Sequence, residues 1–76
     1  MIPENRYEDY KAILLRAKEL AAVHDCKYYV YDMPESVGYQ CTPWPDPDRK
    51  LLGEAYPGGR VLARALLPGK HGGVRL

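Results

Sequence analysis

The chain contains no phenylalanine, only two cysteines, and no long apolar run. A membrane-spanning helix needs about 20 consecutive apolar residues, so we expect none. Small secreted domains usually depend on several disulfides, so we expect Cys26 and Cys41 to be reduced, packed thiols. The N-terminus also lacks the basic and apolar regions of a secretion signal. These absences predict a cytoplasmic protein with no membrane partner.

A strong charge of one sign is also missing. The net charge is +1 over 76 residues, and it divides as −2 over residues 1–38 and +3 over residues 39–76. A dedicated nucleic-acid binder usually carries a larger basic excess. A chain this short buries only about 60% of its unfolded surface, which leaves little room for a deep pocket. We therefore expect function to reside on the surface.

No catalytic or cofactor motif is present. On a helix, His24 and Cys26 would lie about 200° apart, so we interpret the pair as a helix end followed by a packed thiol. With Cys41 and His71 they make four potential zinc ligands, but the paired spacing of a zinc site is missing. Glu54 is isolated in the sequence, and no two carboxylates suggest acid–base chemistry. We expect no enzyme activity, no metal and no cofactor.

The clearest element is an amphipathic helix over residues 6–24. Asn5 and Glu8 fit a capping box, and apolar residues recur at helical spacing to His24. Leu15 is the exception, because it lies among charged residues.

Two strands are expected to follow the helix as a hairpin. Residues 27–33 are rich in aromatic and β-branched side chains, which favour a strand. Residues 34–36 make a predicted turn with Pro34 at its second position, and residues 37–42 form the predicted returning strand.

Two interpretations are open for the segment after the proline-rich linker 43–47. Asp46 as N-cap with Pro47 next favours a short helix over 47–56, which we prefer. The alternative is a strand over 51–56 closed by a turn at Gly58-Gly59.

The last predicted element is a buried strand over residues 60–67, which is apolar on both faces. We thus predict an α+β fold, in which the helix packs on a small antiparallel sheet. One domain is expected over 1–69, followed by a flexible basic tail over 70–76. Because one helix covers only one face of a small sheet, Leu15 and the apolar strand that contains Leu66 also suggest a homodimer that buries the second face. The alternative is that the segment 47–56 covers that face within the same chain.

Tyrosine is the unusual abundance, with seven residues beside a single tryptophan. Tyrosine, tryptophan and arginine are enriched at binding hot spots, and Tyr29 and Tyr31 point to one side of their strand. The sequence therefore predicts a non-enzymatic module that binds a larger protein. The expected binding residues are Tyr29, Tyr31, Trp44, Arg60 and Arg64.

This short, motif-free, tyrosine-rich profile is similar in kind to the small inhibitors that phages and mobile elements direct against host machinery. The resemblance implies occlusion of a site on a larger partner and transfers no residue roles. Two alternatives are open: a nucleic-acid-binding accessory protein that uses exposed tyrosine and arginine, and a small metal- or thiol-dependent protein.

Overall fold

A computed structural model describes residues 6–33 and 38–64, which form one helix and four strands. The elements are α1 (Tyr7–His24), β1 (Tyr28–Asp32), β2 (Tyr39–Thr42), β3 (Leu51–Ala55) and β4 (Val61–Ala63). The strands form a single antiparallel sheet in the order β2-β1-β3-β4. The predicted α+β fold, with a helix packed on a small antiparallel sheet, is confirmed.

The apolar stripe of α1 forms the upper half of the core. Its buried residues are Tyr10, Leu14, Ala17 and Ala21. The N-cap is Arg6, which makes no side-chain capping bond, so the prediction of Asn5 as N-cap is wrong, and Asn5 itself lies outside the described residues. Leu15 is 42% exposed, as its position among charges predicted. The described part of the chain has no helix that is both long and apolar enough to cross a membrane.

The lower half of the core is the sheet face beneath α1. Val30 pairs with Cys41 on one side and with Gly53 on the other, so these three residues lie on this face. Gly53 permits close packing, because a Cβ there would lie 2.6 Å from Cδ2 of Leu14. A β-bulge interrupts the β1–β3 register after Val30, and the Tyr10 hydroxyl donates to the nearby carbonyl of Leu52.

The short helix that we preferred over 47–56 is wrong, because Leu51–Ala55 forms a strand that pairs on both sides. Asp46 instead closes a turn. The Asp48 amide donates to Asp46 Oδ1 at 3.0 Å, and the Arg49 amide donates to the Asp46 carbonyl at 3.2 Å. Aspartate stabilises such turns as readily as it caps helices, so the local signal did not distinguish the two.

The strand alternative holds, including its closing turn. The Tyr56 amide donates to the Arg60 carbonyl at 2.8 Å, and Gly59 adopts a φ of 95° between them. A positive φ at this point favours glycine, which explains why the hairpin closes at the Gly58-Gly59 pair.

The predicted strand over 60–67 is observed as Val61–Ala63. It lies at a sheet edge and is half-buried rather than buried, since only β3 flanks it among the described strands. Residues 65–67 lie outside the described residues, as do the predicted turn over 34–36, Leu66, His71 and the predicted tail over 70–76. The proposed domain limit at residue 69 remains a prediction.

Candidate functional site

The sheet face away from α1, which we call the far face, carries rings and charges rather than an apolar surface. Strand pairing places Tyr29 opposite Glu54 and Thr42, and Glu54 opposite Leu62, so these side chains share the far face. This composition corrects the expectation of an apolar second face. It removes the original reason for placing a homodimer there.

Side chains on the far face form a continuous line of cations and tyrosine rings in contact, which we call the ring–cation row. In order along the line its members are Arg60, Tyr56, Lys27, Tyr29, Tyr31 and Arg49. The Lys27 ammonium lies 4.9 Å from the ring centres of both Tyr29 and Tyr56. Arg60 lies 5.6 Å from the Tyr56 ring centre. Such distances lie within the range of cation–π attraction.

The centre of the row is a tyrosine pair. Tyr29 and Tyr31 are two positions apart on β1, so their side chains project to the same side. Their rings stack with centres 6.4 Å apart and planes inclined by 19°. Arg49 lies 4.9 Å from the Tyr31 ring centre. A cation therefore contacts each end of the tyrosine pair.

Glu54 anchors the row from within the sheet. Glu54 is only 4% exposed, and its Oε1 lies 2.6 Å from Lys27 Nζ. The Arg64 Nε donates to the other oxygen, Oε2, at 2.7 Å, and Arg64 Nη2 also pairs with it. One buried carboxylate thus holds two cations in place at the far face.

The charges of this cluster shift one another's proton affinities. Burial acts to raise the pKa of Glu54, but hydrogen bonds from Lys27 and Arg64 outweigh it and hold the pKa below its usual range. The pKa of Lys27 is raised, chiefly by its hydrogen bond to Glu54. Glu54, Lys27 and Arg64 are therefore all charged near neutral pH.

The loop from Pro43 to Lys50 covers one end of the far face. The Asp46 amide donates to the Tyr31 hydroxyl at 2.7 Å. Arg49 lies over the Tyr31 ring and donates to Gln40 Oε1 at 2.9 Å. Tyr31, one of the predicted binding residues, is consequently only 2% exposed.

Trp44 lies in the same loop and is 75% exposed. Its amide donates to the Thr42 hydroxyl at 3.2 Å, which ties the loop to the end of β2. A large exposed indole beside a charged face is a typical feature of a binding surface.

The structure brings four of the five predicted binding residues to one face. The far face holds Tyr29, Tyr31, Arg60 and Arg64, and Tyr31 is covered there by the loop in which Trp44 lies. The sequence analysis missed Lys27, Arg49, Glu54 and Tyr56. Lys27 alternates with Tyr29 and Tyr31, and this signal was available in the sequence.

The cysteines and His24 form no metal cluster within residues 6–33 and 38–64. Both thiols are free, and burial raises the pKa of Cys41. His24 Nδ1 lies 2.5 Å from the Tyr28 hydroxyl, at the junction of α1 and β1. His71, the fourth candidate zinc ligand, lies outside the described part of the chain.

Comparison with known proteins gave no match: no family model, no curated protein and no solved structure is significantly similar to this chain.

Proposed function

We propose that this protein is a non-enzymatic module that binds an acidic surface of a larger protein through the far face. The observation that carries the proposal is the ring–cation row, in which three cations are held against tyrosine rings on an open sheet. We place its action in the cytoplasm, an assignment supported by the free thiols of Cys26 and Cys41.

The charge balance of the far face favours an acidic target. Lys27, Arg49, Arg60 and Arg64 supply four cations at this face, and Glu54 supplies a buried carboxylate. Glu54 neutralises part of this charge and keeps two of the cations fixed. The remaining positive charge is available to a partner, and complementary charge raises the rate and specificity of association.

The cations of the row are also preorganised. Each lies on a ring that belongs to a strand or a strand end, and Arg64 is held by Glu54. Ordering a free lysine or arginine on binding costs about 0.5–1.5 kcal/mol per side chain. Side chains that are already ordered avoid much of this cost, which supports a role in recognition.

A protein partner fits this face better than a single-stranded nucleic acid does. Base stacking requires open ring faces. Tyr29 and Tyr31 stack on each other, and Lys27 and Arg49 contact the two ends of the pair. The overall charge of +1 agrees with this preference, because backbone binding of nucleic acid usually involves a larger basic excess.

We infer that the module acts by occlusion, as an inhibitor of phage or mobile-element type does. A sheet face flanked by the exposed Trp44 can cover a site on its partner without any chemical step. The charged groups of the far face are engaged with rings and with one another, an arrangement suited to recognition rather than to proton transfer.

The single tryptophan, Trp44, allows a direct binding test. A glutamate-rich peptide is titrated into the protein while Trp44 fluorescence is recorded, and oligothymidylate of equal charge is titrated in parallel. We expect saturable binding of the peptide. Arg60→Glu should weaken it at least about tenfold, which corresponds to about 1.4 kcal/mol.

Lys18→Glu is the matched control, because it changes the net charge equally on α1, away from the far face. It should change the affinity less than about twofold if binding is local. Tighter binding of oligothymidylate than of the peptide would favour the nucleic-acid alternative. Equal weakening by both variants would show that the far face is not the binding surface.

A further inference from the structure

A groove of about 430 Å³ runs between α1 and the outer edge of β2, on the side of the molecule opposite the far face. It is lined by Asp9, Ala12, Ile13, Arg16, Gly38 and Tyr39. β2 is the edge strand of the sheet, and no described strand pairs with its outer side. The groove therefore places a strand edge beside a helix face.

The hydrogen-bond alternation of β2 identifies which of its backbone groups point outward. The Met33 amide donates to the Gly38 carbonyl at 3.2 Å, so this pair is hydrogen-bonded. Alternation along an antiparallel ladder makes the Tyr31–Gln40 pair hydrogen-bonded as well. The backbone groups of Tyr39 and Cys41 then face the groove.

The helix side of the groove carries opposite charges at its two ends. Asp9 and Arg16 are separated by two helical turns, with Ala12 and Ile13 between them. Both charges are largely exposed, at 65% and 63% of their side chains. An antiparallel copy of this stripe would place each Asp9 beside an Arg16.

The outward-facing backbone groups of β2 and the charged stripe of α1 are centred at the same place. Tyr39 lies near the Asp9 end of the stripe, where Arg6 covers its ring at 5.3 Å. Cys41 lies near the other end, close enough for the Arg16 charge to act on its thiol. Gln40, midway between the outward-facing residues Tyr39 and Cys41, thus lies opposite the middle of the stripe from Asp9 to Arg16.

We propose that β2 pairs antiparallel with β2 of a second copy of this chain, about a twofold axis through Gln40. Tyr39 then lies opposite Cys41 of the partner subunit, and two such pairs supply four backbone hydrogen bonds. The axis also sets Asp9 against Arg16 of the partner subunit, twice. A twofold interface requires this kind of self-complementary surface.

This dimer goes beyond the proposed function, because it uses the opposite side of the molecule. An antiparallel edge pairing keeps both helices on one side of the joined sheet. The two far faces then lie side by side on the other. A dimer would present two binding faces to a partner, which increases its apparent affinity when both engage.

Light scattering over a concentration series and amide hydrogen exchange test the pairing. The mass should rise from 8.6 kDa toward about twice that value. The amides of Tyr39 and Cys41 should become protected at high concentration only, whereas those of Gln40 and Thr42 should be protected throughout. A constant mass of 8.6 kDa, or protection of Tyr39 and Cys41 that does not depend on concentration, would overturn the proposal.

Charge reversal tests the register. Arg16→Asp places like charges opposite each other twice and should raise the dissociation constant at least about tenfold. The double variant Asp9→Arg/Arg16→Asp should restore dimerisation, with thermal melts recorded because Asp9 also pairs with Arg6 at 3.4 Å. Lys18→Asp, a reversal of equal size elsewhere on α1, should leave the dimer intact. Equal loss in Lys18→Asp, or no rescue in a folded double variant, would refute the register.

Discussion

Lys27 Nζ lies 2.6 Å from Glu54 Oε1, although the two residues are far apart in the sequence. The strands next to them, β1 and β3, are the two central strands of the sheet. Lys27 immediately precedes β1, and Glu54 lies within β3. The pairing of these strands therefore creates both the buried ion pair and the charged centre of the far face. Stability and the proposed binding surface therefore depend on the same contact.

Glu54→Gln should lower the free energy of unfolding by about 1–3 kcal/mol, because it replaces a charged acceptor of three hydrogen-bonding contacts with a neutral one. Urea unfolding measures the change. Glu19→Gln is the control, since the Glu19 side chain is 70% exposed and its replacement should change stability by less than about 0.5 kcal/mol. Equal effects of the two variants would show that Glu54 contributes no more than a surface charge.

The stabilising effect of Glu54 should depend on pH. Its pKa is lower in the folded chain than the ordinary value of 4.5, so its contribution is complete above pH 4.5. It is lost as the pH falls from there through the folded-state pKa. The difference in unfolding free energy between wild type and Glu54→Gln should therefore shrink below pH 4.5. The other carboxylates are the same in both proteins, so their contributions cancel in this difference. A difference that stays constant or grows in acid would contradict the cited pKa direction.

Gly53→Ala should destabilise the fold by about 1–3 kcal/mol through overpacking. The new Cβ would lie 2.6 Å from Leu14 Cδ2 and 3.3 Å from the Leu62 carbonyl oxygen. Gly58→Ala is the matched control, because a Cβ at Gly58 meets nothing within 4 Å. Thermal or urea unfolding compares them. If Gly53→Ala is as stable as Gly58→Ala, the close contact between α1 and β3 is not as tight as the structure indicates.

Tyr31→Phe should loosen the loop from Pro43 to Lys50, because it removes the acceptor of the Asp46 amide. The expected loss is about 0.5–1.5 kcal/mol, the usual net value of such a bond. Hydrogen exchange reports it locally: the Asp46 amide should exchange faster, while the Val30 amide within β1 should not change. Unchanged exchange at Asp46 would mean that the bond does not hold the loop.

Most of the fold could be predicted because local patterns and tertiary packing agree there. The apolar stripe predicted α1 within one residue of its observed start, and the aromatic segment predicted β1. The segment around Asp46 was misassigned because an aspartate before a proline serves turns and helix starts alike. The choice between them depends on the pairing of β3 with β1 and β4. These partners are distant in the sequence, so the residues around Asp46 alone do not indicate the pairing.

The same misassignment concealed the candidate site. On a short helix, Glu54 has no partner and appears isolated. On β3 it lies beside Lys27 and Arg64, which come from other parts of the chain. Tyr31 was included among the predicted binding residues because alternation places it on the same side of β1 as Tyr29, but alternation does not reveal that a loop covers it.

Chemical-shift mapping with the glutamate-rich peptide locates the binding surface residue by residue. Backbone and side-chain resonances are followed through the titration for every assigned residue. If the far face binds the peptide, the largest shifts occur at Lys27, Tyr29, Tyr56 and Arg60, with little change on α1. Shifts concentrated on α1, or spread evenly over the molecule, would contradict the proposed binding surface.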